Sequence, residues 1–104
     1  MANVNWTDQA LHSLDIVYAF IAQDAPFYAE HFIEQLFSAV DRLEEFPLSG
    51  RHVPEAERDD IREIIYKDYR IIYWLVSDNR VDVISVFHSS RDLYRAENRP
   101  WEEH

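Results

Sequence analysis

Ile61-Arg62-Glu63-Ile64-Ile65-Tyr66-Lys67-Asp68-Tyr69-Arg70-Ile71-Ile72-Tyr73-Trp74-Leu75-Val76-Ser77-Asp78-Asn79-Arg80-Val81-Asp82-Val83-Ile84-Ser85-Val86-Phe87 is the stretch that decides the fold. Three runs rich in Ile, Val, Tyr and Trp, at Ile61–Tyr66, Tyr69–Val76 and Val81–Phe87, read as strands. Lys67-Asp68 and Asp78-Asn79 separate them and read as hairpin turns, the second being the better turn former. The middle run, Ile71 to Val76, is apolar at both parities, so it is expected at the centre of an antiparallel sheet, covered on both faces. A turn at Asp78-Asn79 pairs Ser77 with Arg80. That register sets Arg70 opposite Phe87 and Tyr69 opposite His88, and so puts Arg70 and His88 on opposite faces of the sheet.

Upstream of the strands the apolar period changes from two to that of a helix. Asn3–Trp6 reads as a short opening strand, and Thr7 as the N-cap of a helix with Asp8 in its first turn. Ala10, Leu11, Leu14, Val17, Tyr18 and Ile21 form its apolar stripe. Gln23-Asp24-Ala25-Pro26 breaks it; Asp24 is expected to cap a second helix with Pro26 in its first turn. Ala29, Ile33, Leu36, Val40 and Leu43, flanked by Phe32 and Phe37, mark that helix, which is expected to end near Phe46-Pro47. The two helices form an antiparallel hairpin. Leu48–Asp60 reads as a loop in which Gly50, the only glycine, is expected to take a positive φ. Ser89 or Ser90 can cap a short helix from Arg91 to about Asn98, which Pro100 would stop. The fold class is therefore α+β, ordered β-α-α-β-β-β, with a helical hairpin packed on one face of an antiparallel sheet and a short C-terminal helix.

Composition bounds the rest. The chain has 104 residues, enough for a single domain spanning 1–104. It is 47% apolar, which excludes disorder. Uncharged runs such as Ile16–Gln23 and Ile71–Ser77 are far shorter than the roughly 20 residues a membrane helix needs. Asp8 and Asp15 interrupt any secretory h-region, so a cytoplasmic protein is expected. Without cysteine there is no disulfide, no thiolate zinc site and no cysteine nucleophile. The net charge of −10 argues against a general nucleic-acid binder. The charge is uneven: residues 1–50 hold eight acids and one base, Arg42, whereas nine of the ten bases follow residue 50.

Most arrangements of polar residues admit a plain structural reading. His12, His31, His52 and His88 sit on different elements without metal-ligand spacing, so no metal and no cofactor is expected. Glu44-Glu45 and Asp59-Asp60 read as solvated charge pairs, and one glycine leaves no phosphate loop. The segment above background presents Arg62, Lys67, Arg70, Arg80, His88 and Arg91 among Tyr66, Tyr69, Tyr73 and Trp74. Such a surface can hold RNA, with Arg on phosphates and rings under bases. It can bind an acidic protein segment, or the rings can be core and the Arg edge charges.

Four pieces, in order, resemble the RelE/ParE toxin superfamily. Leu43-x-x-Phe46-Pro47-x-Ser49-Gly50-Arg51-x-Val53-Pro54-Glu55 is similar to its linker between helices and sheet. Ile61-Arg62-Glu63 and Tyr69-Arg70-Ile71-Ile72-Tyr73 resemble its strand motifs. Val86-x-His88-x-x-Arg91-Asp92-Leu93 resembles the ending of ParE-type members, and Trp6, Ala10, Leu14, Ile21 and Asp24-x-Pro26-x-x-Ala29 fit upstream. The resemblance runs from Asn3 to about Arg95. It implies the toxin half of a type II toxin–antitoxin module, neutralised by a cognate antitoxin, with Gly50, Arg51, Arg62, Arg70, Tyr73, His88 and Arg91 as the family-motif candidates.

The superfamily divides by chemistry. The RelE-like branch implies cleavage of ribosome-bound mRNA, which needs a base for the ribose 2′-OH, an acid for the leaving oxygen and cations on the phosphorane. Arg70 and His88 would be its catalytic residues here. The ParE-like branch implies inhibition of DNA gyrase by protein contact, with no catalytic residue, no free nucleic acid and no membrane as partner. A single lysine, an acidic balance unsuited to a ribosomal site, the Gly50-Arg51 linker and the His88-x-x-Arg91-Asp92 ending favour the ParE-like branch. A toxin that has lost its activity and only binds its antitoxin is the third expectation, which the net charge of −10 keeps open.

Overall fold

The computed structural model describes residues 1–95 and 99–103 of the chain. Strand β1 (Asn3–Trp6) leads into helices α1 (Asp8–Ala22) and α2 (Pro26–Asp41), followed by strands β2 (Arg51–His52), β3 (Ile61–Tyr66), β4 (Tyr69–Ser77) and β5 (Arg80–His88). Among the described residues the strands make one sheet in the order β1-β5-β4-β3-β2. It is antiparallel except at one edge, where β1 runs parallel to β5. The sheet is thus the expected α+β layer with two additions, the parallel edge pairing of β1 and the two-residue β2 inside the segment read as loop. No helix among the described residues is long and apolar enough to cross a membrane.

Thr7 caps α1 as its residue type requires. Its Oγ1 accepts the Ala10 N–H at 3.1 Å and donates to the Val83 carbonyl at 2.9 Å, which pins the start of α1 to β5. The start of α2 differs from expectation. Ala25, not Asp24, is its N-cap, and no side chain caps it; Pro26 at the first position needs no partner for an N–H it lacks. The last turn of α2 tightens into a 3-10 helix at Arg42–Glu44.

The register of β4 on β5 is the expected one at both ends: Tyr69 faces His88, Arg70 faces Phe87 and Ser77 faces Arg80. Between them the ladder shifts twice, at Ile72/Tyr73 and at Leu75/Ser77, in opposite senses, so the shifts cancel. The first places an extra residue in β5 near Ile84, and the second an extra one in β4 at Val76. Neither Asp78 nor Asn79 has a positive φ, so their turn is not of the primed type that matches strand twist. The irregularity beside it accommodates the mismatch. Lys67 takes the positive φ of the other turn, at 52°.

Both faces of the sheet are covered. On the helix side, Ala10, Leu14 and Val17 of α1 and Phe32, Leu36 and Val40 of α2 pack on Ile64, Ile71, Tyr73, Val81, Val83 and Val86. Ile21 and Ile33 are only partly buried at the margin, and Leu11 is exposed. On the second face, Ile61, Ile72, Ile84 and Phe87 are covered by Val53, Leu93 and Trp101. This second core replaces the expected C-terminal helix. Residues 91–95 form turns, residues 96–98 of that expectation lie outside the described residues, and Pro100 opens a 3-10 helix, Pro100–Glu103, rather than stopping one. Proline suits a first turn, and this one places the Trp101 ring over the sheet.

Candidate functional site

Five of the seven motif residues meet where the linker joins the sheet. Arg70, on the second face, is 6% exposed. Its Nη1 and Nη2 each donate to a Glu55 carboxylate oxygen at 2.8 Å, and its Nε donates to Glu63 Oε1 at 2.5 Å. Glu63 is fully buried and also accepts from Arg51 Nε through Oε2. All three nitrogens of Arg70 are therefore engaged by two carboxylates, one from the linker and one from β3. The hydrogen bonds from Arg70 hold the Glu55 carboxyl below its ordinary pKa against the opposing effect of burial. The Glu55 bond, with Glu63 behind it, raises the guanidinium pKa well above its ordinary value.

Gly50, Arg62 and Tyr73 hold the linker on the helix side. The Tyr73 hydroxyl donates to the Pro47 carbonyl at 2.8 Å and accepts the Gly50 N–H at 3.0 Å. Burial pushes the Tyr73 hydroxyl pKa up. Arg62 Nη1 donates to the Leu48 and Gly50 carbonyls, at 3.1 and 3.0 Å. Gly50 does not have a positive φ, contrary to expectation. It is glycine for lack of room: a Cβ would stand 2.6 Å from the Glu63 carbonyl oxygen and closer still to the Tyr73 hydroxyl. All these contacts are ones a folding role requires.

His88 and Arg91 lie elsewhere, beside a groove of about 500 Å³ between α1 and the end of β5. Its walls are Ser13, Ile16, Val17 and Phe20 from α1, and Tyr69, Val86, Phe87, His88, Ser90 and Arg91 from the sheet and the turn after it. Ile16 and Phe20 are largely exposed, 58% and 67%. The groove exists because β1 ends at Trp6, opposite Val83, and leaves the outer edge of β5 uncovered beyond that point. Ser13 Oγ takes the Val86 N–H there at 2.9 Å. His88 Nδ1 accepts the Ser90 N–H at 3.1 Å and lies 2.8 Å from Ser90 Oγ. A neutral His88 ring that accepts at Nδ1 carries its proton on Nε2. The Tyr69 ring meets His88 edge-on at 5.4 Å, and the Arg91 guanidinium lies 5.7 Å from the Phe87 ring centre.

The sequence reading missed Glu63, the hub of the Arg51 and Arg70 pairs, and the groove wall of Ile16 and Phe20. Ile16 and Phe20 fall outside the apolar stripe of α1 yet are spaced i, i+4, which was the available signal. Among the described residues no three of His, Asp and Glu converge as metal ligands do.

Comparison with known proteins accords with this geometry. Residues 4–93 match the family described as ParE toxin of type II toxin-antitoxin system, parDE. The chain is 31% identical over 91 residues to a protein of Caulobacter vibrioides named Toxin RelE2, an alignment spanning 88% of this chain and 99% of that one. A solved structure titled "Chromosomal ParDE TA system from P. aeruginosa" shares the fold, with a TM-score of 0.71 and 18% identity over 85% of this chain and 96% of that chain.

Proposed function

The chain belongs to the ParE toxin family of type II toxin–antitoxin systems, and from that position we propose that it inhibits DNA gyrase by protein contact, in the cytoplasm, until an antitoxin neutralises it. The observation that carries the choice of mechanism is the state of Arg70. A ribonuclease built on Arg70 and His88 needs a cation facing a phosphate and a base on the same side of the sheet. Arg70 is buried, engaged by Glu55 and Glu63, and separated from His88 by the sheet. A protein-contact mechanism needs neither group to be free.

The groove between α1 and β5 supports an antitoxin partner. Its apolar wall, with Ile16 and Phe20 exposed, suits a segment that is disordered when free and folds on binding. One observation favours a second reading, a ribosome-dependent endonuclease: His88 and Arg91 share the groove, and a cation and an imidazole there could face RNA without Arg70. Pulsed expression followed by mapping of messenger 5′ ends separates the two. The gyrase reading expects no new ends; codon-specific ends would establish the second reading. A protein that stops growth by neither route but still copurifies with the product of a neighbouring reading frame would be the inactive binder.

A further inference from the structure

The far edge of the sheet is incompletely closed. β2 pairs only Arg51 with Glu63 and His52 with Arg62, leaving the second half of β3 beyond its end. The β3–β4 turn closes on the pair Tyr66 and Tyr69. In that phase the backbone groups of Arg62, Ile64 and Tyr66 point toward β4, and those of Ile61, Glu63 and Ile65 point outward. The Val53 N–H, which reaches the Ile61 carbonyl at 3.3 Å, agrees with this phase. Ile65 therefore presents its N–H and carbonyl at an edge that β2 does not reach.

The linker leaves this position because other groups claim it. Tyr73 takes Pro47 and Gly50, and Arg62 takes the Leu48 and Gly50 carbonyls, so residues 47–50 bend over the helix side. A cleft of about 290 Å³ opens there, lined by Arg42, Ser49, Arg51, Glu63, Ile64 and Ile65 together with Gly50. Ile65 is 46% exposed, and Phe46 and Leu48 are exposed nearby in sequence to its rim. Arg42 is the one base among residues 1–50, and the Arg51 side chain is 61% exposed. The lining acid, Glu63, is buried between two guanidinium groups. Edges guarded against pairing usually carry charge on the strand itself. Here the outward residue beyond the end of β2 is an uncharged isoleucine, Ile65, with Arg42 on the helix side and Arg51 on the other face.

We propose that this edge receives an extended segment of a partner protein, alternating acidic and apolar residues, as an added strand in line with β2. Its backbone pairs with the outward groups of Ile65, its apolar side chains cover Ile65 on the second face, and its alternate carboxylates fall on the helix face beside Arg42. The proposal does not depend on which cellular target the chain inhibits.

The test is a titration of the isotope-labelled chain with a decapeptide alternating Glu and Val, read by amide shifts and hydrogen exchange. The Ile65 amide is expected to shift and become protected. R42E is expected to weaken binding about threefold to tenfold, the scale of one exposed charge pair made repulsive. Ile65→Pro removes an N–H that the β4 ladder does not use, and is expected to abolish binding. R42E carries the same test should Ile65→Pro fail to melt cooperatively. Equal binding of a Lys-Val decapeptide, or shifts confined to the α1–β5 groove, or an Ile65 amide unchanged at millimolar peptide, would each overturn the proposal.

Discussion

Arg70 and His88 occupy opposite faces of the sheet although the residues facing them, Phe87 and Tyr69, are their immediate chain neighbours. The strand pleat alone produces this, since directly opposed residues share a face and successive ones do not. What looks in sequence like a cation and a base one pair apart on adjacent strands becomes two separate environments. Arg70 is locked to Glu55 and Glu63, whereas His88 looks into an open groove.

The first expectation concerns Arg70. Removing one partner from a buried ionic pair costs about 3–5 kcal/mol, because the remaining charge is stranded. R70A should approach that cost, since Glu63 stays buried with only the half-exposed Arg51 to meet it. R51A should cost far less. Urea melts of the two variants check this, and equal midpoints would contradict Arg70 as the main partner of buried Glu63.

The pH dependence follows from Glu55. Its carboxyl is held below its ordinary pKa in the fold, chiefly by the hydrogen bonds from Arg70, so the unfolded chain binds the proton more readily. The stabilisation is present above the unfolded value and is lost as pH falls through the folded one. Asp60, lowered mainly by its bond from Arg58, acts in the same direction. Stability should decline on acidification below about pH 5, and E55Q should flatten that decline while lowering stability at neutral pH.

Gly50→Ala should destabilise by about 1–3 kcal/mol, the usual cost of overpacking. The clash is with the Glu63 backbone and a Tyr73 hydroxyl that is itself bonded. Y73F should cost about 1–3 kcal/mol by leaving the Gly50 N–H without its acceptor. The two costs should not add in the double variant, because each disturbs the same linker contact. Strict additivity in thermal melts would count against the arrangement.

Within the helical hairpin, Leu36→Ala should cost about 2–5 kcal/mol, since Leu36 is fully buried. Leu11→Ala, on the apolar stripe of α1 in sequence but exposed, should change little. At the groove, Phe20→Glu should leave the melt unchanged. It should weaken the complex with the antitoxin by about 2 kcal/mol or more, roughly thirtyfold, as the loss of an apolar anchor does. Calorimetry on the purified pair reads this.

The strands, the hairpin and the final register were legible because the periodicities are strong and two ladder irregularities happen to compensate. β2 was not, because it is two exposed residues, Arg51 and His52, with no alternation to read. The second core was hidden by Pro100, which signals a stop yet here starts the turn that seats Trp101. Among the site residues, Arg51, Arg62 and Arg70 stood out by type, but their partners did not. Arg70 is paired with an acid eight positions after Glu55, and Arg62 with backbone carbonyls, neither of which a side-chain pattern encodes. Gly50 was conspicuous as the only glycine, but its reason is a neighbour, Tyr73, that only the fold brings near.

Gyrase supercoiling in the presence of the purified chain tests the central claim most directly. Relaxed plasmid, ATP and gyrase are incubated with rising amounts of the chain, alone and after addition of its antitoxin. The account expects supercoiling to fall with dose, recovery when the antitoxin is added, and ribosome-bound messenger left intact by the same preparation. Undiminished supercoiling at a large excess of folded chain, with codon-specific cleavage of the messenger, would contradict it.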